Sequence, residues 1–227
     1  MSGTAISAIE ASLGYTFEDP DLLMTALTHS SYVAEHDGAD SYERLEFLGD
    51  AILELVTTDM IYHAMPDAPE GRMTRLRASL VDEGTLARVA AVWELGPGLR
   101  LGIGEERSGG RDRSSILSDA AEAVIAAVYL DGGMSQAERL VRGSWEEHLA
   151  ERLERDHVID PRSSLQERLA QRGESVRFDY RRSGPHHDVT FQATAYVGDR
   201  ALGTGTGPSK KSAAIDAARD ALERDTL

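Results

Sequence analysis

The chain has 227 residues, 41% of them hydrophobic, which is enough for one large domain, or for a medium and a small one, with a buried core. It contains no cysteine, which excludes disulfides, thiolate metal sites and cysteine nucleophiles. No apolar run approaches the roughly 18 residues of a membrane span, and the first residues lack a signal-peptide pattern. We therefore expect a cytoplasmic protein without a membrane partner.

The net charge of −15 is unevenly distributed along the chain. Residues 1–157 contain 13 arginines and 29 acidic residues, a net charge of −16, whereas residues 158–227 contain 11 basic and 10 acidic residues, a net charge of +1. The only two lysines of the sequence, Lys210 and Lys211, are adjacent in the second part. The overall charge argues against a nucleic-acid partner, but its division indicates two domains of different character.

The first part of the chain, to about residue 155, has apolar residues at helical spacing between breaks that contain Pro or Gly. The clearest predicted helices are residues 42–62, 72–80, 83–94, 117–130 and 135–154. No stretch in this part alternates apolar and polar residues as a strand would. We predict that residues 1–156 form one all-α domain.

The spacing of apolar residues changes to every second position after residue 175. Val176, Phe178 and Tyr180 alternate with charged residues, residues 189–197 repeat the pattern, and residues 201–206 fit a third strand. Predicted helices at residues 165–172 and 210–224 flank these strands. We therefore predict that residues 160–227 form a small α+β domain with the order α-β-β-β-α.

Three carboxylates, those of Glu43, Glu46 and Asp50, recur at i, i+3 and i+7 in one predicted helix, so they share a face. Like charges on one face repel each other, and a bound divalent cation would compensate them. The alternative is a solvated acidic face. If this segment is considered alone, that alternative is favoured.

Asp119 and Glu122 lie one turn apart where another predicted helix becomes apolar on nearly every side. Because that helix should be buried, its carboxylates are costly unless they are paired or bind a metal. The alternative is a helix cap in which Ser118 or Asp119 is the capping residue. The two acidic sets together favour a site for a hard cation with oxygen ligands, which suits magnesium.

The segment Glu-Arg-Leu-Glu-Phe-Leu-Gly-Asp-Ala at residues 43–51 resembles the signature of ribonuclease III, and residues 109–122 resemble the second acidic segment of that family. Residues 27–32 and 69–77 resemble two further family blocks in the same order. The resemblance, from about Ile9 to Arg224, implies an endonuclease that hydrolyses double-stranded RNA. It implies 5′-phosphate and 3′-hydroxyl products with short 3′ overhangs, and processing of ribosomal, messenger and other structured RNA precursors.

The resemblance also implies which residues form the active site. Magnesium, or manganese in its place, would be held by Glu46, Asp50, Asp119 and Glu122. Asp50 and Glu122 would be the residues most directly tied to hydrolysis.

Other positions are expected to support the site. The resemblance implies a homodimer in which Phe47 packs across the interface, whereas the simpler interpretation places Phe47 in the core. Glu43 and Glu70 match acidic positions outside the metal set, and we expect them to support the site or to make dimer contacts. We expect His29 to be a hydrogen-bonded structural residue rather than a catalytic base.

Three arginines, Arg107, Arg111 and Arg113, cluster in a Gly-rich loop before the second acidic segment. In a domain with a net charge of −16 they are expected to guide RNA phosphates, and an ordinary exposed loop is the alternative.

The second domain resembles a double-stranded RNA-binding domain, whose readout depends on A-form shape and 2′-hydroxyl groups. Lys210 and Lys211 would begin its last helix, which is a favourable place for phosphate. The resemblance implies that Gln166 and Glu167 meet 2′-hydroxyls and that His187 reaches a minor groove. With a charge of +1, we expect this domain alone to bind weakly and to lose binding steeply with salt.

Three other functions fit parts of the pattern. A catalytically silent relative that only binds duplex RNA is disfavoured because all four core acids are present. A metal-dependent phosphoesterase acting on DNA or nucleotides is disfavoured by the second domain. The third is an acidic scaffold for oligomerisation, which would bind no divalent ion.

Overall fold

The computed structural model describes residues 3–159, 161–183 and 189–224. The chain divides into two compact units, Met1–Leu149 and Ala150–Leu227. None of the helices in the described ranges combines the length and the apolar character that crossing a bilayer requires.

The first unit is built from helices, as predicted. The helices are α1 (Gly3–Leu13), α2 (Pro20–Ala26), α3 (Ser30–Val33), α4 (Glu43–Ala64), α5 (Glu70–Leu80), α6 (Glu83–Val92), α7 (Leu95–Gly98), α8 (Ile103–Arg107), α9 (Ser114–Gly132) and α10 (Met134–Ile159), with a 3-10 turn at Gly110–Asp112. The sequence pattern did not resolve the short helices α2, α3, α7 and α8, because each has too few residues to show helical spacing. Aspartate side chains cap two of the helix starts. Asp19 accepts a hydrogen bond from the first turn of α2, and Asp82 accepts one from Thr85 at 2.7 Å in α6.

The core of this unit is organised around α9. Every apolar side chain from Ala120 to Val128 is fully buried there. Five of these side chains are alanines, so neighbouring helices approach the α9 backbone closely. Trp145 is fully buried, donates from Nε1 to the Leu80 carbonyl oxygen at 2.9 Å, and packs edge-on against Trp93.

The closest approach in the first unit is where α4 crosses α9. Gly49 of α4 is buried, and a Cβ atom at this position would overlap the carbonyl oxygen of Glu122 in α9. Only a residue without a side chain allows the two backbones to meet at this distance. The crossing therefore requires glycine between the two acids Glu46 and Asp50.

The second unit has the predicted order α-β-β-β-α. Its elements are α11 (Pro161–Ala170), β1 (Arg177–Ser183), β2 (Thr190–Val197), β3 (Arg200–Gly207) and α12 (Lys210–Glu223). The sheet is antiparallel with the order β1-β2-β3, and its register shifts once, at Ala195/Tyr196. Leu165 and Leu169 of α11 and Leu202 of β3 are buried against the alanines of α12.

The contact between β3 and α12 resembles the helix crossing of the first unit in using small residues. A Cβ atom at Gly205 would clash with the backbone of Ala217. Two carboxylates of α12 then reach the edge strand, since Asp216 accepts from the Thr206 N–H at 3.1 Å and Asp220 from the Thr204 N–H at 2.8 Å. These bonds satisfy donors that an edge strand would otherwise leave unpaired, and the Thr204 bond lowers the pKa of Asp220.

We predict that Gly49→Ala lowers the free energy of unfolding of the first unit by at least about 2 kcal/mol, because the new methyl group overpacks the helix crossing. The matched control is Gly143→Ala, also within a helix, where a Cβ atom meets nothing within 4 Å. That control should stabilise the unit by up to about 1 kcal/mol through helix propensity. Urea unfolding followed by tryptophan fluorescence reports on this unit, since both tryptophans lie in it. Equal stabilities of the two variants would contradict a tight crossing.

Candidate active site

Four carboxylates on two crossing helices form one acidic cluster. Glu46 and Asp50 lie in the first half of α4, and Asp119 and Glu122 lie in the first half of α9. Asp50, Glu46 and Asp119 are all close enough to Glu122 to raise its pKa. The structure thus brings together the four residues that the sequence predicts as magnesium ligands.

The cluster is electrostatically unfavourable for carboxylates. Burial, followed by the charges of Asp50, Glu46 and Asp119, raises the pKa of Glu122 to about 8. Burial and the neighbouring acids Asp119, Glu43 and Asp50 also raise the pKa of Glu46. Among the residues that the structure describes, none of the ion pairs includes one of the four acids. The described ion pairs therefore do not compensate the negative charge of the cluster, although the charge of His29 acts to lower the pKa of Asp119.

The pKa values of the other two acids, Asp50 and Asp119, are raised mainly by burial. For Asp50, burial and the charge of Glu54 raise the pKa. For Asp119, burial raises the pKa, and the nearby hydroxyls of Ser118 and Tyr42 and the charge of His29 partly oppose that shift. Asp50 is the exposed member of the cluster, whereas the other three are partly buried.

The donor set suits a hard divalent cation. All four ligands are carboxylates, which magnesium and manganese prefer, and two of them flank the helix crossing. The side chains are not gathered into a finished coordination sphere, since within residues 3–159, 161–183 and 189–224 no three His, Asp or Glu side chains are close enough to hold a metal ion together. Mutual repulsion of like charges explains that spread, and a cation would remove the repulsion. The residues present therefore fit such an ion.

Tyr42, which sequence analysis did not single out, lies against this cluster. It is 2% exposed and immediately precedes α4, and its hydroxyl is close enough to the Asp119 carboxylate for each group to act on the pKa of the other. Burial and the charges of Asp119, Glu46 and Glu43 raise the pKa of Tyr42 far above its ordinary value. The only sequence signal was an aromatic residue directly before an acidic motif, which is not specific.

His29 caps a helix, in agreement with the structural role expected for it. Its Nδ1 accepts a hydrogen bond from the Ser31 N–H at 3.1 Å at the start of α3. Its ring lies 5.7 Å from the ring of Tyr42, measured between centroids. A nitrogen that accepts a backbone hydrogen bond is engaged in the cap, so this nitrogen is not free to act as a base.

Glu43 and Glu70 occupy different surroundings. Glu43 is exposed in the first turn of α4, accepts from the Ser41 hydroxyl at 3.1 Å, and acts on the pKa of Glu46. Glu70 begins α5, accepts from the Thr74 hydroxyl at 2.6 Å, and lines a separate cavity of about 260 Å³. The cavity is lined by Thr58, Ile61, Tyr62, Glu70, Met73, Thr74 and Arg77.

Phe47 does not lie in the core of the first unit. Its side chain is 82% exposed, and Leu55 and Tyr62 on the same helix are 60% and 64% exposed. These three positions follow helical spacing along one side of α4. Large apolar side chains exposed along one stripe are typical of an interaction surface. The interpretation of Phe47 as a core residue is wrong for the isolated chain.

Arg111 is engaged within its own loop. Its Nη1 donates to the carbonyl oxygens of Gly96 and Leu99 at 3.0 and 2.7 Å, and its Nε and Nη2 each lie 2.6 Å from a carboxylate oxygen of Glu106. Arg111 therefore ties α7 and α8 to the segment that leads into α9. A phosphate contact by Arg111 stays a prediction, and it would have to compete with these bonds.

The other two arginines of the loop differ from Arg111. Arg113 forms an ion pair with Glu105 and donates to the Ser108 hydroxyl at 3.1 Å. Arg107 is exposed and, within the described parts of the chain, makes no hydrogen bond or ion pair. Of the three, Arg107 is the arginine that is free to meet an incoming phosphate.

In the second unit, Lys210 and Lys211 are exposed in the first turn of α12. Ser209 and Ser212 form a capping box at this end of the helix, and Lys210 Nζ lies 5.6 Å from the ring centroid of Tyr180. This places two cations at a positive helix end.

Gln166 and Glu167 lie next to each other on α11, the first exposed and the second partly buried. Leu165 and Leu169 of the same helix are buried. His187 lies outside the described residues, so its predicted minor-groove contact stays a prediction.

Two family models match the chain. One described as Ribonuclease-III-like matches residues 19–147, and one described as Double-stranded RNA binding motif matches residues 161–224. The first match includes the whole acidic cluster, and the second includes the lysine pair and the start of α11.

Relatives and a solved structure extend the likeness over nearly the whole chain. Ribonuclease 3 of Streptomyces coelicolor is 47% identical over 214 residues, which cover 94% of this chain and 77% of that protein. Ribonuclease 3 of Geobacter sulfurreducens is 47% identical over 230 residues, which cover 99% of this chain and 93% of that protein. The solved structure of a nuclease domain of ribonuclease III from Campylobacter jejuni is 40% identical and has a TM-score of 0.57. The match covers 62% of this chain and 99% of that chain. That domain is described as flexible in a region involved in dimer formation.

We predict that Glu122→Gln stabilises the chelator-treated protein more at pH 9 than at pH 5. The pKa of Glu122 is raised from 4.5 to about 8 by folding, so its contribution to stability is fully present below pH 4.5 and is lost as the pH rises through about 8. Glutamine does not ionise, so the variant avoids that loss. Urea midpoints of both proteins at the two pH values test this. An advantage of the variant that is independent of pH would contradict the raised pKa.

Proposed function

The chain belongs to the ribonuclease III family and is an endoribonuclease that cuts double-stranded RNA, and we propose that it does so with magnesium held by its acidic cluster. The proposed ligands are Glu46, Asp50, Asp119 and Glu122. Members of this family are generally metal-dependent. Magnesium is our choice of ion, with manganese as a substitute, because the donors are carboxylates.

The observation that carries this proposal is a partly buried acidic cluster, whose members raise the pKa of Glu122, in a chain that also has an RNA-binding domain. A catalytically silent RNA-binding protein would have no need of four adjacent carboxylates whose burial raises their pKa values. A scaffold for oligomerisation would place its acids where partner cations could reach them, whereas Glu122 is one of the partly buried members of the cluster.

We assign Asp50 and Glu122 the roles most directly tied to hydrolysis. Held by the four carboxylates, magnesium would supply a water activated for attack on the phosphorus and would neutralise charge on the leaving 3′ oxygen. Asp50 is the exposed member of the cluster and faces solvent, from which the RNA phosphate arrives. Burial and the neighbouring acids raise the pKa of Glu122 to about 8, and a bound cation would lower it. The products proposed are 5′-phosphate and 3′-hydroxyl ends with short 3′ overhangs.

We propose a homodimer with one active site for each RNA strand. The support is the exposed stripe Phe47, Leu55 and Tyr62 on α4, together with the Campylobacter jejuni nuclease domain described for dimer formation. Phe47 would pack across the interface, and Glu70, beside Tyr62 in the cavity described above, would support it. Two-fold symmetry would place the two acidic clusters in equivalent positions.

We propose that residues 1–156 form the catalytic domain and that residues 160–227 form the RNA-binding domain. Lys210 and Lys211 would hold phosphate, Gln166 and Glu167 would meet 2′-hydroxyls, and His187 would reach a minor groove. In the first domain, Arg107 and Arg113 are the arginines proposed to guide phosphates. We infer that the natural substrates are ribosomal and other structured RNA precursors, which places the enzyme in the cytoplasm.

We predict that Glu122→Ala lowers cleavage of a long RNA duplex more than about 100-fold, because the metal loses a ligand. Affinity for the duplex should change less than about twofold, since binding rests on the arginine loop and the second domain. Cleavage is measured with magnesium and with excess chelator, beside single-stranded RNA and duplex DNA.

The matched control is Glu146→Ala, which removes an exposed acid of α10 and should leave cleavage unchanged. Full activity of purified Glu122→Ala would refute the site assignment. Duplex binding without cleavage by the folded unsubstituted protein, in magnesium or manganese, would favour the silent relative, and cleavage of duplex DNA would favour a different phosphoesterase.

We predict that Lys210→Ala combined with Lys211→Ala weakens duplex binding and makes its dependence on salt concentration less steep, by about one to two units of log K against log salt. Two phosphate contacts would be lost, and fewer counterions would be released. The control is Arg219→Ala with Arg224→Ala, which removes two cations of the same region that already pair with Asp216 and Asp220. Equal slopes for the lysine variant and the unsubstituted protein would exclude these lysines from phosphate contact.

A further inference from the structure

An exposed histidine ring is held in a stack just after α3. The ring of His36 lies parallel to the ring of Tyr32, with 3.8 Å between the centroids and 4° between the planes. The guanidinium carbon of Arg100 lies 4.2 Å from the Tyr32 centroid. Two groups at these distances cannot share one face of a ring, so Arg100 and His36 enclose Tyr32 between them. The stack therefore ends in an exposed histidine.

The base of this stack is fixed to the body of the domain. The Arg100 N–H donates to the Leu27 carbonyl oxygen at 2.7 Å, and the Arg100 carbonyl oxygen accepts from the His29 N–H at 3.0 Å. Nη1 of Arg100 donates to the Thr28 hydroxyl at 3.2 Å. Stacking on a group that is itself held in place restrains the histidine ring before any ligand arrives. A side chain that is ordered in advance loses less conformational entropy on binding.

One edge of the His36 ring is left for a ligand. Nδ1 lies 2.9 Å from the Tyr32 carbonyl oxygen, and because a carbonyl oxygen can only accept, Nδ1 carries the proton. In the neutral ring Nε2 therefore has a free lone pair. Within the parts of the chain that the structure describes, Nε2 makes no hydrogen bond. The end of the stack thus offers a fixed hydrogen-bond acceptor.

The stack lies beside the acidic cluster. The Tyr42 N–H donates to the Thr28 carbonyl oxygen at 2.9 Å, and the ring centroids of His29 and Tyr42 are 5.7 Å apart. The Tyr42 carbonyl oxygen accepts from the Glu46 N–H at 2.8 Å, so Tyr42 is one turn before a proposed metal ligand. His36 is about 10 Å along the chain from His29, at about 1.5 Å per residue of a helical segment.

The segment that carries the histidine is also tied to the arginine loop. Ser31 Oγ accepts from the Gly102 N–H at 2.9 Å. The Glu35 carboxylate accepts from the Ile103 N–H at 3.0 Å. Ile103 begins α8, which ends at Arg107, an arginine proposed to guide phosphate. The segment therefore joins the acidic cluster to a proposed phosphate contact, and a duplex that reaches both comes close to the stack.

The charges around His36 favour a neutral partner over a phosphate. Glu35, Asp37 and Asp40 are exposed on the same segment, and carboxylates repel phosphate. A lone pair on Nε2 also repels a phosphate oxygen, whereas it accepts a hydrogen bond from a hydroxyl. The hydroxyls displayed in the minor groove of an RNA duplex are the ribose 2′-hydroxyls, which DNA lacks.

We propose that His36 Nε2 accepts a hydrogen bond from a ribose 2′-hydroxyl of the duplex bound at the acidic cluster. The catalytic domain then contributes to the choice of RNA over DNA, in addition to the RNA-binding domain. Tyr32 and Arg100 are the positioning residues that hold the ring. The proposal rests on the proposed function, since the acidic cluster defines where the duplex lies.

The test compares binding of two perfect duplexes, one of RNA and one of 2′-fluoro nucleotides, which keep the A-form shape but lack the hydroxyl donor. All proteins carry Glu122→Ala and are assayed in magnesium by fluorescence anisotropy, so that binding is measured without cleavage. His36→Ala should weaken binding of the RNA about 2- to 10-fold, as expected for one neutral hydrogen bond, and should leave binding of the fluorinated duplex within about 1.5-fold. Equal weakening for both duplexes, or no weakening for either, would overturn the proposal.

The matched control is His63→Ala. His63 is also exposed, and its Nδ1 lies 2.9 Å from the carbonyl oxygen of Asp59, four residues earlier, which repeats the bond of His36. Its ring meets the ring of Tyr62 edge-on rather than in a stack. This variant should bind both duplexes as the parent protein does. A selective loss of RNA binding here would show that the effect does not depend on the stack, and would refute the assignment.

Two variants of Tyr32 test the role of the stack. Tyr32→Phe keeps the ring and should bind both duplexes like the parent, whereas Tyr32→Leu should show the same selective loss as His36→Ala. Combined with His36→Ala, Tyr32→Leu should cause no further selective loss, and such a loss would refute action through His36. Cleavage of RNA by the Glu122→Ala parent would instead refute the metal site, so the two failures are distinguishable.

Discussion

The approach of two helix backbones at Gly49 is the constraint on which the rest of the catalytic domain depends. A methyl group at this position would overlap the backbone of Glu122, so α4 and α9 meet only because one of them lacks a side chain there. The glycine lies between Glu46 and Asp50, and its contact on α9 is Glu122 itself. Packing and site geometry are thus determined by the same contact.

This arrangement has a cost in stability that serves the proposed chemistry. Burial and mutual repulsion raise the pKa of Glu122 from 4.5 to about 8, so between these pH values, in the absence of a cation, the folded protein favours a proton that the unfolded chain has released. The alanine-rich α9 supplies the compensating stability through its buried side chains. A divalent cation would exchange the proton and the repulsion for ligand bonds.

Recognition of RNA by so acidic a chain depends on which basic side chains are not engaged in bonds within the protein. Arg111 is used within the loop before α9, where it bonds two carbonyl oxygens and a carboxylate. Arg107 and the pair Lys210 and Lys211 have no such internal use in the described ranges, apart from the contact of Lys210 with Tyr180. A few free cations on a chain with a net charge of −15 are consistent with binding that salt weakens readily.

The sequence by itself determined the all-α first unit, the α-β-β-β-α order of the second, and the helical spacing that puts Glu46 with Asp50 and Asp119 with Glu122. These features depend on residues close together along the chain, whose periodicity is visible without a structure. The tertiary structure alone decided that the two acidic pairs meet at Gly49, that Phe47 is exposed, that Arg111 is engaged within its loop, and that Tyr42 is buried beside Asp119. Most of these contacts join residues far apart along the chain, and all of them depend on how the helices pack, for which local spacing carries no signal.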